Sequence, residues 1–159
     1  MKITILCVGK IKEKFYRDAI AEYTKRLSRY CKLEIVEVSD EQTPDKASVA
    51  LEEQIKKKEA ERILAKIKDN VYLCALEIGG KSLSSEKFAA WMERSAIEGK
   101  GNICFVIGGS LGLHPSVTER ADFHLSFSDM TFPHQLMRVI LCEQIYRAFR
   151  INMGEPYHK

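Results

Sequence analysis

Ile103-Cys104-Phe105-Val106-Ile107-Gly108-Gly109-Ser110-Leu111-Gly112 is the stretch that decides the fold class of this chain. Five apolar residues without polar alternation read as a strand buried on both faces, the mark of a parallel sheet covered by helices on each side. The run then enters a loop with three glycines in five residues. A second strand, residues 123–127, opens into Ser128-Asp129-Met130-Thr131-Phe132-Pro133. Open α/β sheets bind ligands outside the carboxyl ends of their strands, so two irregular loops placed this way are where a cofactor is expected.

Outward from this stretch the elements alternate. Strands at residues 3–8, 33–38, 71–76, 102–107 and 123–127 are interleaved with helices at 12–30, 47–68 and 85–98, a short helix after Pro115 and a long one at 133–150. The predicted fold class is α/β, a mostly parallel sheet flanked by helices. Turn chemistry marks breaks at Thr43-Pro44-Asp45, Gly79-Gly80-Lys81 and Gly99-Lys100-Gly101,. None is long enough to be a linker, and 159 residues suit a single domain spanning 1–159,.

With 45% hydrophobic and 30% charged residues, and neither repeats nor low-complexity tracts, the composition is that of a soluble globular protein,. The apolar run at the N-terminus is too short for a signal peptide and reads as a first strand, so a cytoplasmic location is expected. Five cysteines include no Cys-x-x-Cys pair, and Cys7, Cys74 and Cys104 sit in apolar strands as small hydrophobes,. The four histidines are scattered, and no metal site is expected,.

Charge is uneven along the chain. Residues 1–32 hold nine Lys/Arg against three Asp/Glu, and residues 133–159 hold four against two, so both ends are basic. On helical geometry Phe15, Ala19, Tyr23, Leu27 and Tyr30 share one face of the first helix, with Lys14, Arg17, Lys25 and Arg29 on the other,. That basic face is either a solvated helix surface or a stripe that contacts nucleic-acid phosphates.

The last helix is apolar around most of its circumference, leaving a polar strip of Glu143, Arg147 and Arg150. Such a helix must be buried on more than one side, with one face toward the sheet and another toward a second subunit. Glu143 and Arg147 form a helical ion pair or line a site. The glycine loop fits neither the Gly-x-Gly-x-x-Gly nor the P-loop pattern, so nicotinamide and P-loop nucleotide binding lack their fingerprints. It is either a tight turn or a place where a ligand approaches bare backbone.

Several segments carry a resemblance. Phe105-Val106-Ile107-Gly108-Gly109-Ser110-Leu111-Gly112, Arg120-Ala121-Asp122, residues 125–135, Glu143-Gln144-Ile145-Tyr146-Arg147-Ala148 and Pro156-Tyr157-His158 resemble the RlmH (YbeA-type) ribosomal RNA methyltransferases of the SPOUT superfamily. The resemblance covers the whole chain and is most specific in the last fifty-five residues. Lys159 stands where that family often has arginine.

The resemblance implies a C-terminal trefoil knot, which ordinary topology rules argue against. It also implies a homodimer that transfers a methyl group from S-adenosylmethionine to N3 of a pseudouridine in large-subunit (23S) rRNA. Carried over by position, it assigns the cofactor to Leu76, Gly108 and the loop Phe127, Ser128, Asp129, Met130, Thr131 and Phe132. Glu143, Tyr157, His158 and Lys159 are the candidates for holding the base and removing its proton. Histidine is the side chain whose ordinary pKa suits a general base near neutral pH. Two other readings share parts of the pattern, a dehydrogenase-like nucleotide-binding protein and a non-catalytic RNA-binding module.

Overall fold

The structure is a computed structural model in which all residues from Met1 to Lys159 are described. The elements run β1 (Lys2–Val8), α1 (Lys14–Leu27), β2 (Lys32–Val38), α2 (Val49–Leu64), β3 (Tyr72–Ser82), α3 (Ser85–Ile97), β4 (Asn102–Ile107), α4 (Pro115–Arg120), β5 (Phe123–Ser126) and α5 (His134–Asn152). The strands form one sheet in the order β2-β1-β4-β3-β5. Every pairing is parallel.

Strand side chains alternate between the two faces, and here both faces are covered. In β1, Ile3, Ile5 and Cys7 enter a core shared with Phe88, Ala89 and Met92 of α3 and Leu141, Cys142 and Ile145 of α5. Leu6 and Val8 enter the opposite core, with Ala60 and Ile63 of α2 and Val117 of α4. This two-sided burial is why β1 and β4 carry no polar alternation, whereas in edge strand β2 the exposed Lys32 and Glu34 alternate with Leu33 and Ile35,. Helix starts follow local chemistry: Ser48 and Ser84 each accept a backbone N–H, from Leu51 and Lys87, at 3.2 Å,. Pro115 occupies the first turn of α4, where its missing N–H costs nothing,.

Three features depart from the expectations. β3 does not end at Leu76 with a turn at Gly79-Gly80-Lys81. It makes an excursion over residues 77–80 and pairs with β5 again at Lys81 and Ser82. Gly80 permits this, because a Cβ there would lie 2.7 Å from the backbone carbon of Leu125,. Phe15 is not on the buried face of α1. It lies in the first turn of the helix with 62% of its surface exposed, whereas Ile20 and Leu27 are buried.

The third departure concerns α5, which carries a charged residue in the core, outside the polar strip of Glu143, Arg147 and Arg150. Arg138 is fully buried beside the apolar Leu141, Cys142 and Ile145. Leu136, Met137, Val139 and Ile140 remain half-exposed in the single chain, while the buried residues of the helix share a core with α3. All five cysteines are free, four of them buried. Burial pushes the Cys7, Cys104 and Cys142 thiols up to about 12, which keeps them uncharged,. No helix is long and apolar enough to cross a membrane.

Candidate functional site

A cavity of about 890 Å³ opens at the carboxyl ends of β3, β4 and β5. Its walls are residues 76–79, 107–113, 125–128 and 130–134, closed at the base by Met137 of α5. Leu76, Gly108, Phe127, Ser128, Met130, Thr131 and Phe132 thus lie together around one space, and Asp129 is exposed beside them. A shallower groove of about 590 Å³ at the amino ends of β1 and β2, between Met1, Arg29 and Lys32, is at the wrong end of a parallel sheet for this class of site,.

The glycine loop is shaped by contacts with itself and with α2. A Cβ on Gly108 would lie 2.8 Å from the carbonyl carbon of Gly112 and 3.1 Å from a methyl of Leu113. Gly112 has φ +81°, a left-handed conformation that favours glycine,. Gly109 and Gly112 form a bridge across the loop. A side chain at Gly108 therefore meets the loop's own backbone before it meets a ligand, and the loop would have to open.

Beneath this loop lies Glu59, an acidic residue that the sequence did not single out. It is 4% exposed, and its Oε2 is 3.0 Å from the point where a Gly109 Cβ would sit. Its Oε1 accepts the Glu41 N–H at 3.0 Å. Burial raises the Glu59 carboxyl pKa, with the hydrogen bond from Glu41 opposing the shift. Arg62 pairs with Glu41 and donates to the Ser39 carbonyl at 2.9 Å, tying α2 to the segment after β2.

The second loop is held at both ends. Ser126 Oγ donates to the Ser128 carbonyl at 3.3 Å, and the Met130 N–H donates to Ser128 Oγ at 3.0 Å, a local side-chain turn,. At the far end His134 begins α5 and lines the cavity. Burial, then the neighbouring Arg138 charge, lowers the His134 pKa, so the ring is neutral near pH 7. On the other rim Glu77, within the β3 excursion, contacts His124 of β5.

The tail residues gather elsewhere. Tyr157 Oη donates to Glu143 Oε2 at 2.9 Å, and Arg147 Nε donates to Glu143 Oε1 at 2.9 Å. The Tyr157 ring lies edge-on to Tyr146, with centroids 5.0 Å apart, and under the Arg147 guanidinium at 4.6 Å. Burial and the bond to Glu143 raise the Tyr157 pKa. His158 Nε2 is 2.8 Å from Glu86 of α3, and its Nδ1 is 3.3 Å from Arg147 Nη1. Glu86 is held down to about 2 by its own backbone N–H and by His158. Lys159 is exposed at the end of the chain.

Glu143, Tyr157 and His158 are therefore brought together, but not at the cavity of their own chain. Met137 lines the cavity, and at about 1.5 Å of rise per residue Glu143 and Arg147 lie about 9 and 15 Å further along α5,. The sequence could have flagged Arg138, a charge in the middle of an apolar helix. It held no comparable signal for Glu59, whose burial depends on the placement of α2 against the glycine loop.

Comparison with known proteins adds the chemistry that geometry leaves open. Residues 1–158 match the sequence model of a family described as predicted SPOUT methyltransferase. The chain is 63% identical over its whole length to the full length of a ribosomal RNA large subunit methyltransferase H from Bifidobacterium adolescentis, and 62% identical in the same way to one from Clostridium beijerinckii. A probable methylase family protein from Haemophilus influenzae Rd KW20 shares the fold, with a TM-score of 0.50 at 13% identity over 96% of this chain and 66% of that one. Matched from its first residue to its last but one, with full-length relatives identical at about six positions in ten, the chain belongs to the SPOUT methyltransferase family.

Proposed function

We propose that this protein, an S-adenosylmethionine-dependent methyltransferase of large-subunit ribosomal RNA, methylates N3 of a pseudouridine and acts in the cytoplasm as a homodimer whose sites are shared between subunits. The observation that carries the reading is the joining of Leu76, the glycine loop and the loop before α5 around a single cavity of about 890 Å³. The space fits the cofactor: Leu76, Leu125 and Met137 supply apolar wall for an adenine, and the glycine loop offers backbone donors and acceptors for the ribose,. The bound cofactor supplies a methyl carbon on a sulfonium, which reacts when a nucleophilic nitrogen is held in line with it.

The imide N3–H of a uracil-type ring must lose its proton before that nitrogen attacks well. The tail cluster holds the groups suited to this task. Glu143 and His158 are the candidate proton acceptors, held in place by Tyr157, Arg147 and Glu86 until the base displaces these partners. Tyr157 supplies an aromatic ring beside Arg147, and Lys159 is an exposed cation for the adjacent phosphate. Because this cluster lies along α5 from its own cavity, it serves the cavity of a partner whose α5 runs antiparallel. The half-exposed Leu136, Val139 and Ile140 form the contact between the two helices. The C-terminal trefoil knot that the resemblance implies belongs to the same reading, and the return of α5 from edge strand β5 to the carbonyls at the end of β1 is compatible with it.

Two predictions follow the assembly and the RNA surface. Ile140→Glu places a desolvated, unpaired charge in the contact, so light scattering of the variant should show monomer where the unmodified protein is a dimer at micromolar concentration. A stable monomer for the unmodified protein would contradict the shared site. Lys25 is exposed and Arg29 lies just beyond α1, over the Tyr30 ring at 5.9 Å. Replacing both with alanine should weaken ribosome binding and reduce the slope of log affinity against log salt by about 1 to 2, with little loss of maximal rate. An unchanged salt slope would remove α1 from the RNA surface.

A further inference from the structure

We propose that Arg138 and His134 act as a positioning pair that fastens the far end of the second cofactor loop to β1 and thereby sets the affinity for S-adenosylmethionine. The proposal rests on the reading of the cavity as the cofactor site. Arg138 is 0% exposed. Its Nη2 donates to the Gly9 carbonyl at 2.8 Å and approaches that of Val8 at 3.4 Å, and its Nη1 donates to Glu37 Oε1 at 3.0 Å. Its Nε has no partner. A buried guanidinium with one half-exposed carboxylate and an unpaired nitrogen is a poor way to stabilise a core, since an apolar side chain of similar volume does as well or better. Departures of this kind from good packing concentrate where a protein positions something.

What Arg138 positions is His134, whose Nδ1 lies 3.2 Å from Nη2. A guanidinium only donates, so Nδ1 accepts and the ring proton sits on Nε2. The lowered pKa of the ring agrees with this neutral tautomer. The ring lies over Gly9, where a Cβ would be 3.1 Å from His134 Cε1, and Gly9 itself has φ +87°. The next residue repeats the attachment: Gln135 Oε1 accepts the backbone N–H of Lys12 at 2.8 Å and approaches that of Glu13 at 3.4 Å. The cavity wall at 130–134 is thus pinned to the β1–α1 connection through His134, Gln135 and Arg138. The same connection leads into the basic helix α1, so one set of contacts aligns the cofactor loop with the RNA-facing surface.

Arg138→Lys keeps the charge but loses the fork that reaches Glu37 with Nη1 while Nη2 holds the Gly9 carbonyl and the His134 ring,. His134→Phe keeps a ring without nitrogen, whereas His134→Asn offers an oxygen close to the place of Nδ1. Calorimetry with S-adenosylmethionine should show affinity reduced about tenfold to a hundredfold in Arg138→Lys and His134→Phe, and largely recovered in His134→Asn. At saturating cofactor both weakened variants should regain at least about half the normal turnover on ribosomes, a KM effect, and a cooperative thermal transition well above the assay temperature without cofactor separates it from general unfolding. Long-range 1H–15N spectra of the unmodified protein should show His134 protonated on Nε2 alone. If Arg138→Lys does not fold, the two His134 variants carry the test. Affinities within twofold of normal in Arg138→Lys and His134→Phe, or a proton on His134 Nδ1, would overturn the pair alone. Failure of the unmodified protein to bind S-adenosylmethionine would overturn the cavity reading and the pair with it.

Discussion

Removal of Tyr157, His158 and Lys159 is expected to lower methyl transfer at saturating ribosomes and cofactor by about 10²- to 10⁴-fold, the range general acid–base groups contribute, while leaving cofactor affinity unchanged. The separation along α5 is the reason. The tail packs on Tyr146, Arg147 and Glu86 and touches none of the loops that form the cavity of its own chain. On the proposed reading its loss therefore leaves the cavity in place and removes the groups assigned to holding and deprotonating the base. A mixed dimer gives a sharper form of the test. When one chain lacks the tail and the other carries a ruined cavity, sharing across the dimer predicts different activities for the two ways of placing the lesions. With both lesions in one chain, each composite site carries one of them and the dimer is inactive, whereas splitting them between chains puts both lesions in one site and leaves the other whole, so about half of the activity remains. Full-rate methylation by the truncated homodimer would show that the tail has no catalytic role.

Gly108→Val should weaken S-adenosylmethionine binding by about 10- to 100-fold, equivalent to the roughly 1–3 kcal/mol of strain that overpacking imposes. The clash is with the loop itself: the added Cβ would lie 2.8 Å from the Gly112 carbonyl carbon, and valine adds two methyls beyond it. The loop must open, and the bridge between Gly109 and Gly112 is lost with it. The sheet should survive, because Ile103 to Ile107 are buried upstream of the change. Calorimetry together with a cooperative thermal transition checks both halves of this expectation. Unchanged affinity in a folded variant would remove the glycine loop from the site.

The sheet was legible in the sequence because burial on both faces leaves a direct trace. Ile103 to Ile107 and Ile3 to Val8 have no polar alternation, and each is a strand between two cores. The loops around the cavity were legible for a similar local reason, since glycine, serine and proline interrupt apolar runs at the strand ends. The excursion of β3 was not. Gly79-Gly80 reads as a turn, and only the close approach of Gly80 to the Leu125 backbone shows that the strand resumes. Phe15 misled because helical periodicity assigns a face without saying where the sheet beneath the helix ends.

Arg138 and Glu59 mark a different limit. Each is a charged residue on a helix, and the ordinary expectation for such a residue is solvent. Their burial depends on partners far away in sequence: the carbonyls of β1 and Glu37 for Arg138, and the Glu41 N–H and Gly109 for Glu59. Tertiary placement decides these cases: the sequence shows at most that Arg138 interrupts an apolar helix, and for Glu59 it carries no trace. The tail lies between the two situations. Its residues stood out by resemblance, and the structure brings Glu143, Tyr157 and His158 together while placing them along α5 from the cavity.

The most direct test of the account is to incubate the protein with ribosomes lacking the modification and S-adenosylmethionine bearing an isotopically labelled methyl group, digest the large-subunit RNA to nucleosides and locate the label by fragmentation mass spectrometry. The account predicts one labelled methyl on the base of a pseudouridine, at N3, with the ribose unlabelled. Label on a ribose, on a different base or on no nucleoside at all would contradict it.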